Sequence, residues 1–187
     1  MKTLICVSLL LLSSVWLAAE DGHQLWLRCK STGTVNVVCN THSPAVDIAI
    51  AELKNGWQGS DGATIVLKIK HDKALRNDGF RFCGNEIRAD NEYGILYGVY
   101  EMLRRQQTGE PVHDTVCNPS YEIRILNHWD NPDGTVERGY AGRSIFWRGA
   151  ATPDKVTDAD RTLWREYARA NASLGINGAV LNNVNAA

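Results

Sequence analysis

The chain has 187 residues, of which 44% are hydrophobic and 22% charged, with a formal net charge of −1. That length holds one domain and part of another, and the composition is globular rather than disordered. So even a balance of charge excludes the clustered basic surface that nucleic-acid binding requires, and nucleic acid is not an expected partner.

Lys2 precedes an apolar run from Leu4 to Leu17, and Leu17-Ala18-Ala19 before Glu20-Asp21 supplies small residues for cleavage. Residues 1–19 therefore read as a secretory signal peptide, and an exported protein, periplasmic or secreted, is expected. The run falls short of the roughly 20 apolar residues of a membrane span. Cys6 lies inside it without a small-residue lipidation context. The remaining cysteines, Cys29, Cys39, Cys83 and Cys117, permit two disulfides in three connectivities, or free buried thiols, and the sequence does not choose. With no CxxC pair and no paired-histidine spacing, no metal or other cofactor is expected.

Val35 to Val38 reads as a short strand, and Ser43-Pro44 then gives an N-cap with proline in the first helical turn. Val46, Ala49, Ile50, Leu53 and Trp57 recur at helical spacing, and Gly56 or Gly59 ends that helix. From Thr64 the period changes to two, with Ile65, Leu67 and Ile69 on one face of a strand. Residues 78–82 and 86–89, joined across Gly84-Asn85, form a hairpin. Asn91 caps a helix whose core face is Leu96, Val99, Tyr100 and Leu103. Gly94 and Gly98 inside it each cost about 1 kcal/mol against alanine, which tight packing on a sheet would explain. Residues 22–114 thus describe a small βαββα unit.

Gly109-Glu110-Pro111 and Asn118-Pro119 mark a linker at about 108–119. Beyond it a strand runs to Asn127, a long loop to Gly149, then a helix on which Leu163, Tyr167, Ala170 and Leu174 share a face and Gly175 forms the C-terminal cap. Ile176 to Val184 is a further strand. Strand, helix, strand is the repeat from which a parallel barrel is wound. Asn171-Ala172-Ser173 matches a glycosylation triplet but falls within the helix, and is taken as chance.

The stretch from Tyr121 to Trp147 carries the chemistry. Asn127-His128-Trp129-Asp130-Asn131 combines a flat apolar ring with donors and acceptors, which suits a polyhydroxylated ligand. Glu137 and Arg138 follow, with further glycines. The ends of both strands carry such clusters, His128, Trp129 and Asp130 at one and Asn183 with Val184 at the other. Active sites of parallel barrels sit at the C-terminal ends of the strands, so all of these are candidate substrate-binding residues.

Three blocks in order, NHWDN, ERGYAGRSIFW and YARANASLGINGAVLNNVNA, resemble the start of the catalytic domain of the family 67 glycoside hydrolases, the α-glucuronidases of xylan breakdown. The resemblance implies an α/β architecture: a small accessory domain over residues 20–116, similar to the N-domain of hexosaminidases, then the first strands and helix of a (β/α)8 TIM barrel over 117–187. A barrel needs eight strands, and this stretch supplies two, so the sequence reads as the N-terminal part of a longer enzyme. The implied reaction is inverting release of glucuronic or 4-O-methylglucuronic acid from xylo-oligosaccharides. Its catalytic acid and base would come from later strands, beyond residue 187, leaving no catalytic residue here. The resemblance also implies that Trp129 packs on the uronic acid, that Val184 forms a small apolar wall, and that Glu137 and Arg138 make polar contacts. The expected partner is a glucuronoxylan-derived oligosaccharide, and a homodimer would form through the region beyond residue 187. Two other readings remain, a hexosaminidase-like barrel glycosidase and a non-catalytic carbohydrate-binding module.

Overall fold

A computed structural model describes residues 27–28, 30–137, 142–148 and 155–181. The signal peptide, Cys29, Arg138, Asn183 and Val184 lie outside the described residues. The fold is mixed α/β, with a five-stranded sheet and a separate two-stranded sheet.

Strand β1 (Val35–Cys39) turns Val35 inward and leaves Asn36 and Val38 outside. Helix α1 (Pro44–Gly56) begins where Ser43 is extended and its hydroxyl accepts the Val46 N–H, while Pro44 needs no partner for the donor it lacks. Val46, Ala49 and Leu53 form its buried face, Trp57 follows, and Gly56 is its last residue. Strand β2 (Ala63–Ile69) lies parallel to β1, and Asn40 fixes the pairing by bonding both the N–H and the carbonyl of Ile69.

Strands β3 (Phe80–Cys83) and β4 (Glu86–Ala89) form the expected hairpin, with Gly84 at φ +57° in its two-residue turn. β4 adds parallel to β2, and a fifth strand, β5 (Thr115–Cys117), lies beyond β3, giving the order β1-β2-β4-β3-β5. The register puts Leu67, Ile87 and Phe82 in one row and Ile69, Ala89 and Phe80 in the next, all on the face covered by the helices. Lys68, Arg88 and Arg81 share the opposite face, where Glu86 pairs with Lys68 and Arg88 and Asp72 pairs with Arg81. One greasy face and one charged face make this a two-layer unit.

Helix α2 (Glu92–Thr108) starts at Asn91, whose side chain accepts the Gly94 N–H, and ends at Gly109 in the left-handed conformation, φ +71°. All four expected core residues are buried, together with Ile95 and Met102. The two helical glycines are explained by proximity. A Cβ at Gly98 would lie 2.5 Å from Ile87 Cγ2, and one at Gly94 would lie 2.6 Å from the Gly79 carbonyl oxygen.

The linker reading of 108–119 requires correction, because Thr115–Cys117 forms strand β5 on the free edge of β3. The βαββα description of residues 22–114 also undercounts the strands, since four of them, β1 to β4, fall within it. Three residues are too few to show a period, and β5 is held largely by its flanks: Asp114 accepts the Gly84 N–H, and Asn118 bonds the Arg76 N–H and the Ala74 carbonyl. Cys39, Cys83 and Cys117 are free thiols, so among the described cysteines there is no disulfide.

Strand β6 (Ile125–Asn127) and strand β7 (Gly178–Val180) run parallel, with helix α3 (Asp158–Ser173) between them in sequence. β6 is shorter than the alternation from Tyr121 suggests. Arg124 delays its start: its main-chain N–H bonds the Asn177 side chain and its guanidinium reaches the Gly175, Tyr121 and Glu122 carbonyls. α3 opens with a capping box between Thr157 and Asp160, and Gly175 follows its end at φ +75°. Its expected apolar face is only partly covered, since Leu174 is exposed. Among the described residues, two largely shielded ion pairs bind this second unit to the first, Arg124 with Asp78 at 2.7 Å and Arg169 with Glu52 at 2.7 Å, and a more exposed one joins Arg28 to Glu166 at 3.7 Å. Among the described residues, no helix is long and apolar enough to cross a membrane.

Two tests follow from this packing. Gly98→Ala gains helix propensity but forces a Cβ into Ile87, and overpacking costs about 1–3 kcal/mol. Urea denaturation should show a net loss of up to about 2 kcal/mol after the roughly 1 kcal/mol propensity gain; greater stability than the native chain would contradict the close approach. For Glu101, burial raises the carboxyl pKa, but hydrogen bonds from Arg104 and Arg105 outweigh it and hold it below the ordinary range. A depressed folded pKa gives stability that is full above the unfolded value of about 4.5 and is lost as pH falls through the folded one. The urea midpoint of Glu101→Gln should therefore lie below that of the native chain at neutral pH and converge with it under acid. A gap unchanged in strong acid would be inconsistent with that linkage.

Candidate functional site

The C-terminal end of β6 gathers the residues that the sequence singles out. His128 continues the parallel ladder, its main-chain N–H donating to the Val180 carbonyl at 2.8 Å. The end of β6 and the end of β7 are therefore side by side. The chain stays extended through Asp130, which forms an antiparallel bridge with Val136, and the Glu137 N–H donates to the Trp129 carbonyl at 3.0 Å.

Extended backbone sends successive side chains to opposite faces. His128 is half-buried, Trp129 is 40% exposed and Asp130 is 7% exposed, which is that alternation. The His128 ring meets Phe146 edge-on at 4.9 Å and Tyr167 at 5.5 Å, and those two rings meet each other at 5.0 Å and 90°. Its Nε2 is hydrogen-bonded to the Tyr167 hydroxyl. Burial raises the Tyr167 pKa, a hydrogen bond from Asn171 works the other way, and the charge of Asp130 adds to the rise. Tyr167 is thus a neutral hydroxyl at ordinary pH, and Asp130 is close enough for its field to be felt there.

The loop beyond is built from short polar turns. Asn131 to Thr135 is closed by the Asn131 N–H on the Thr135 carbonyl, and the Gly134 N–H returns to Asn131. Asp133 accepts from the Thr135 hydroxyl and N–H, which lower its pKa. Gly134 adopts φ +84°, and a Cβ there would lie 2.4 Å from the Trp147 carbonyl oxygen. Ser144, 4% exposed, accepts the Phe146 and Trp147 N–H groups, while the Trp147 indole donates to the Leu181 carbonyl and the Trp164 indole to Ile145. The second half of the loop is thereby folded back over β7 and α3.

Of the candidate residues, His128, Trp129 and Asp130 are brought together, but on two faces. Trp129 faces out, whereas His128 turns toward Tyr167 and Asp130 is buried. Glu137 lies beside Trp129 through the main chain, with an exposed side chain. Sequence reasoning assigns Tyr167 only to the face of α3 and gives Phe146 and Ser144 no role. Aromatic residues at positions 128, 146 and 167 come from three segments, and only the folded chain joins them. Among the described residues there is no cluster of three or more His, Cys, Asp or Glu that could hold a metal.

A separate cleft of about 380 Å³ lies where the two units meet, lined by Asp78, Tyr97, Cys117, Arg124 and Leu174 among others. It contains none of the candidate residues. Arg124 and Gly175 place it before β6 and β7, at the opposite end of these strands from Trp129.

Residues 103–187 match the glycosyl hydrolase family 67 middle domain. Those residues belong to glycoside hydrolase family 67. Across 95% of its length the chain is 33% identical to the probable alpha-glucuronidase A of Aspergillus terreus, covering 26% of that protein. It is likewise 33% identical over 95% of its length to alpha-glucuronidase A of Aspergillus tubingensis, and 42% identical over 90% to the probable alpha-glucuronidase A of Aspergillus oryzae. The chain spans about a quarter of the length of these curated relatives. Among solved structures, a GH138 enzyme targeting pectin rhamnogalacturonan II aligns over 75% of the chain at 12% identity and a TM-score of 0.39, a likeness too loose to bear on the fold. The family 67 match agrees with the resemblance read from the sequence rather than with the hexosaminidase-like alternative.

The Ser144 contacts make a local prediction. Ser144→Ala leaves two main-chain donors without their acceptor, a loss of about 1–3 kcal/mol. Hydrogen exchange at the Phe146 and Trp147 amides should accelerate while exchange in the β2–β4 ladder stays the same. Unchanged protection at both amides would show that the serine does not hold this loop.

Proposed function

We propose that this chain supplies the opening strands and part of the sugar site of an α-glucuronidase. In this reading residues 20–116 form the accessory domain and 117–187 begin the (β/α)8 catalytic barrel, after a signal peptide that directs export. Parallel β6 and β7 with α3 between them support the barrel reading, as do Tyr121 and Ile123, which are 75% and 73% exposed beside β6. Large apolar side chains left open next to a two-stranded sheet suit a surface that further strands would cover.

The observation that carries the functional reading is the placement of Trp129. It follows the C-terminal end of β6, where barrel enzymes place their sites, and it turns an exposed indole away from the buried pair His128 and Asp130. A flat ring of this kind suits the apolar face of a glucuronic acid or its 4-O-methyl form. Glu137 beside it, with Arg138, Asn183 and Val184, would complete the polar and apolar contacts. Inversion needs an acid and a base roughly 6.5–9.5 Å apart on opposite sides of the bond. Asp130 is buried and Glu137 is open to solvent, so neither is offered as that pair, which later strands would supply. The substrate class is xylo-oligosaccharide bearing the uronic acid, and the chemistry calls for no cofactor. A homodimer would use regions beyond residue 187.

Calorimetric titration with an aldouronic xylo-oligosaccharide tests this reading. The chain should bind without releasing uronic acid, and Trp129→Ala should weaken binding by about tenfold, the equivalent of 1.4 kcal/mol. Its urea midpoint should scarcely move, because the indole is largely outside the core. Unchanged affinity in that variant, or release of uronic acid by the chain alone, would contradict the proposal.

A further inference from the structure

The loop after β6 folds as a small antiparallel sheet, and its register sorts its side chains. Asp130 opposes Val136, and the bonds on either side of that bridge run from the Glu137 N–H to Trp129 and from the Asn131 N–H to Thr135. Trp129 and Glu137 are thus one cross-strand pair and Asn131 and Thr135 the next. Thr135 in turn opposes Arg143, with the Ser144 N–H donating to the Gly134 carbonyl. Directly opposed residues share a face, and so do residues two apart on one strand. Trp129, Asn131, Thr135, Glu137 and Arg143 therefore stand on one face, and Asp130, Val136 and Ser144 take the other. Burial agrees, since Asp130 and Ser144 are buried whereas Trp129, Thr135, Glu137 and Arg143 are exposed. The Asn131 amide also donates to the Thr135 hydroxyl at 2.9 Å, which needs both on the same side.

The outer face carries opposite charges at its two ends. Glu137 stands beside the indole, and Arg143 lies two strands over and two residues along, about 12 Å from Trp129 between main chains at ordinary strand spacing and rise. Among the described residues the Arg143 guanidinium donates only to the Asp133 carbonyl, at 3.5 Å. Asp133 feels its charge, but that carboxylate is taken up by the Thr135 hydroxyl and N–H. A guanidinium has five N–H donors, so most of its capacity is open to a ligand.

We infer that Arg143 is a specificity-determining residue of the sugar site, pairing with the carboxylate of the uronic acid and turning that edge of the ring away from Glu137. The inference rests on the proposed sugar site. A ring lying on Trp129 is repelled by Glu137 at its carboxylate edge and drawn by the guanidinium, while Glu137 accepts from hydroxyls on the opposite edge. The planar fork of arginine matches a carboxylate with two parallel bonds, and an exposed side chain on this face can swing across Asn131 to meet it. A neutral sugar would keep the indole and Glu137 but lose this pairing. The face therefore distinguishes an acid from the corresponding alcohol.

The test is calorimetric titration of the whole chain with two ligands, an aldouronic xylo-oligosaccharide and the same oligosaccharide with its carboxyl group reduced to the alcohol. The native chain should bind the acid about tenfold more tightly than the alcohol, the lower range for a hydrogen bond to a charged group. Arg143→Gln should bring the acid down to the affinity of the alcohol and leave the alcohol unchanged. Arg143→Lys, which keeps the charge without the fork, should recover part of the preference. A native chain that binds both ligands equally overturns the inference. So does an Arg143→Gln variant that still prefers the acid, and loss of the preference in Arg138→Gln instead would assign it to the other cation of the loop. Equal weakening of both ligands in Arg143→Gln also overturns it, since the role would then be structural. Binding of neither ligand by the native chain is the failure of the sugar-site reading itself, and the inference falls with it.

Discussion

Two arginines bridge long stretches of sequence and decide where everything else sits. Arg169 on α3 reaches Glu52 on α1, 117 residues away, and the Leu27 carbonyl beside it. Arg124 before β6 reaches Asp78 ahead of β3 and lies over the Tyr97 ring at 5.6 Å. Both pairs are mostly shielded from solvent, so breaking one partner leaves a charge in a poor medium, a larger effect than losing a surface pair. The two-stranded sheet is too small to stand alone, since a pair of short strands is marginal in water without packing. It is an ordered platform because the five-stranded unit holds it by these clasps.

That dependence divides the strands β6 and β7 into two ends with different work. At the entry, Arg124, Asn177 and Gly175 spend their hydrogen bonds on one another and on Asp78, and the cleft of about 380 Å³ lies there. At the exit, the bonds run from His128 to Val180 and to Tyr167, and the aromatic loop stands above them. A cleft at a unit junction is a natural candidate for a ligand site, but here its guanidinium groups are already committed, Arg104 to Glu101 and Glu110 and Arg124 to Asp78 and main-chain carbonyls. The indole at the other end is 40% exposed, which is why it is the proposed sugar contact.

Much of the accessory unit is legible in the sequence because local signals agree with the final packing. Ser43-Pro44, Asn91 and Gly84-Asn85 each specify a terminus or a turn by their own backbone chemistry, and the period changes at Thr64 as the chain passes from helix to strand. Gly94 and Gly98 announce a close approach whose partners, Gly79 and Ile87, become apparent only in the fold. β5 is invisible for the opposite reason: three residues show no period, and Asp114 and Asn118 bond to turns more than 29 residues away. At the site, the NHWDN cluster is conspicuous as composition, yet its split into an outward Trp129 and an inward His128 depends on Tyr167 and Phe146, which arrive from elsewhere in the chain.

The central claim is that strands β6 and β7 are ordered by their attachment to the five-stranded unit rather than by their own pairing. Amide hydrogen exchange of Arg124→Met measures this directly. The account predicts that protection at the His128 and Asn177 amides, which bracket the β6–β7 ladder, collapses while the amides of β2 and β4 keep theirs. Full protection at His128 and Asn177 in that variant would mean that the small sheet stands without the clasp, and would contradict the account.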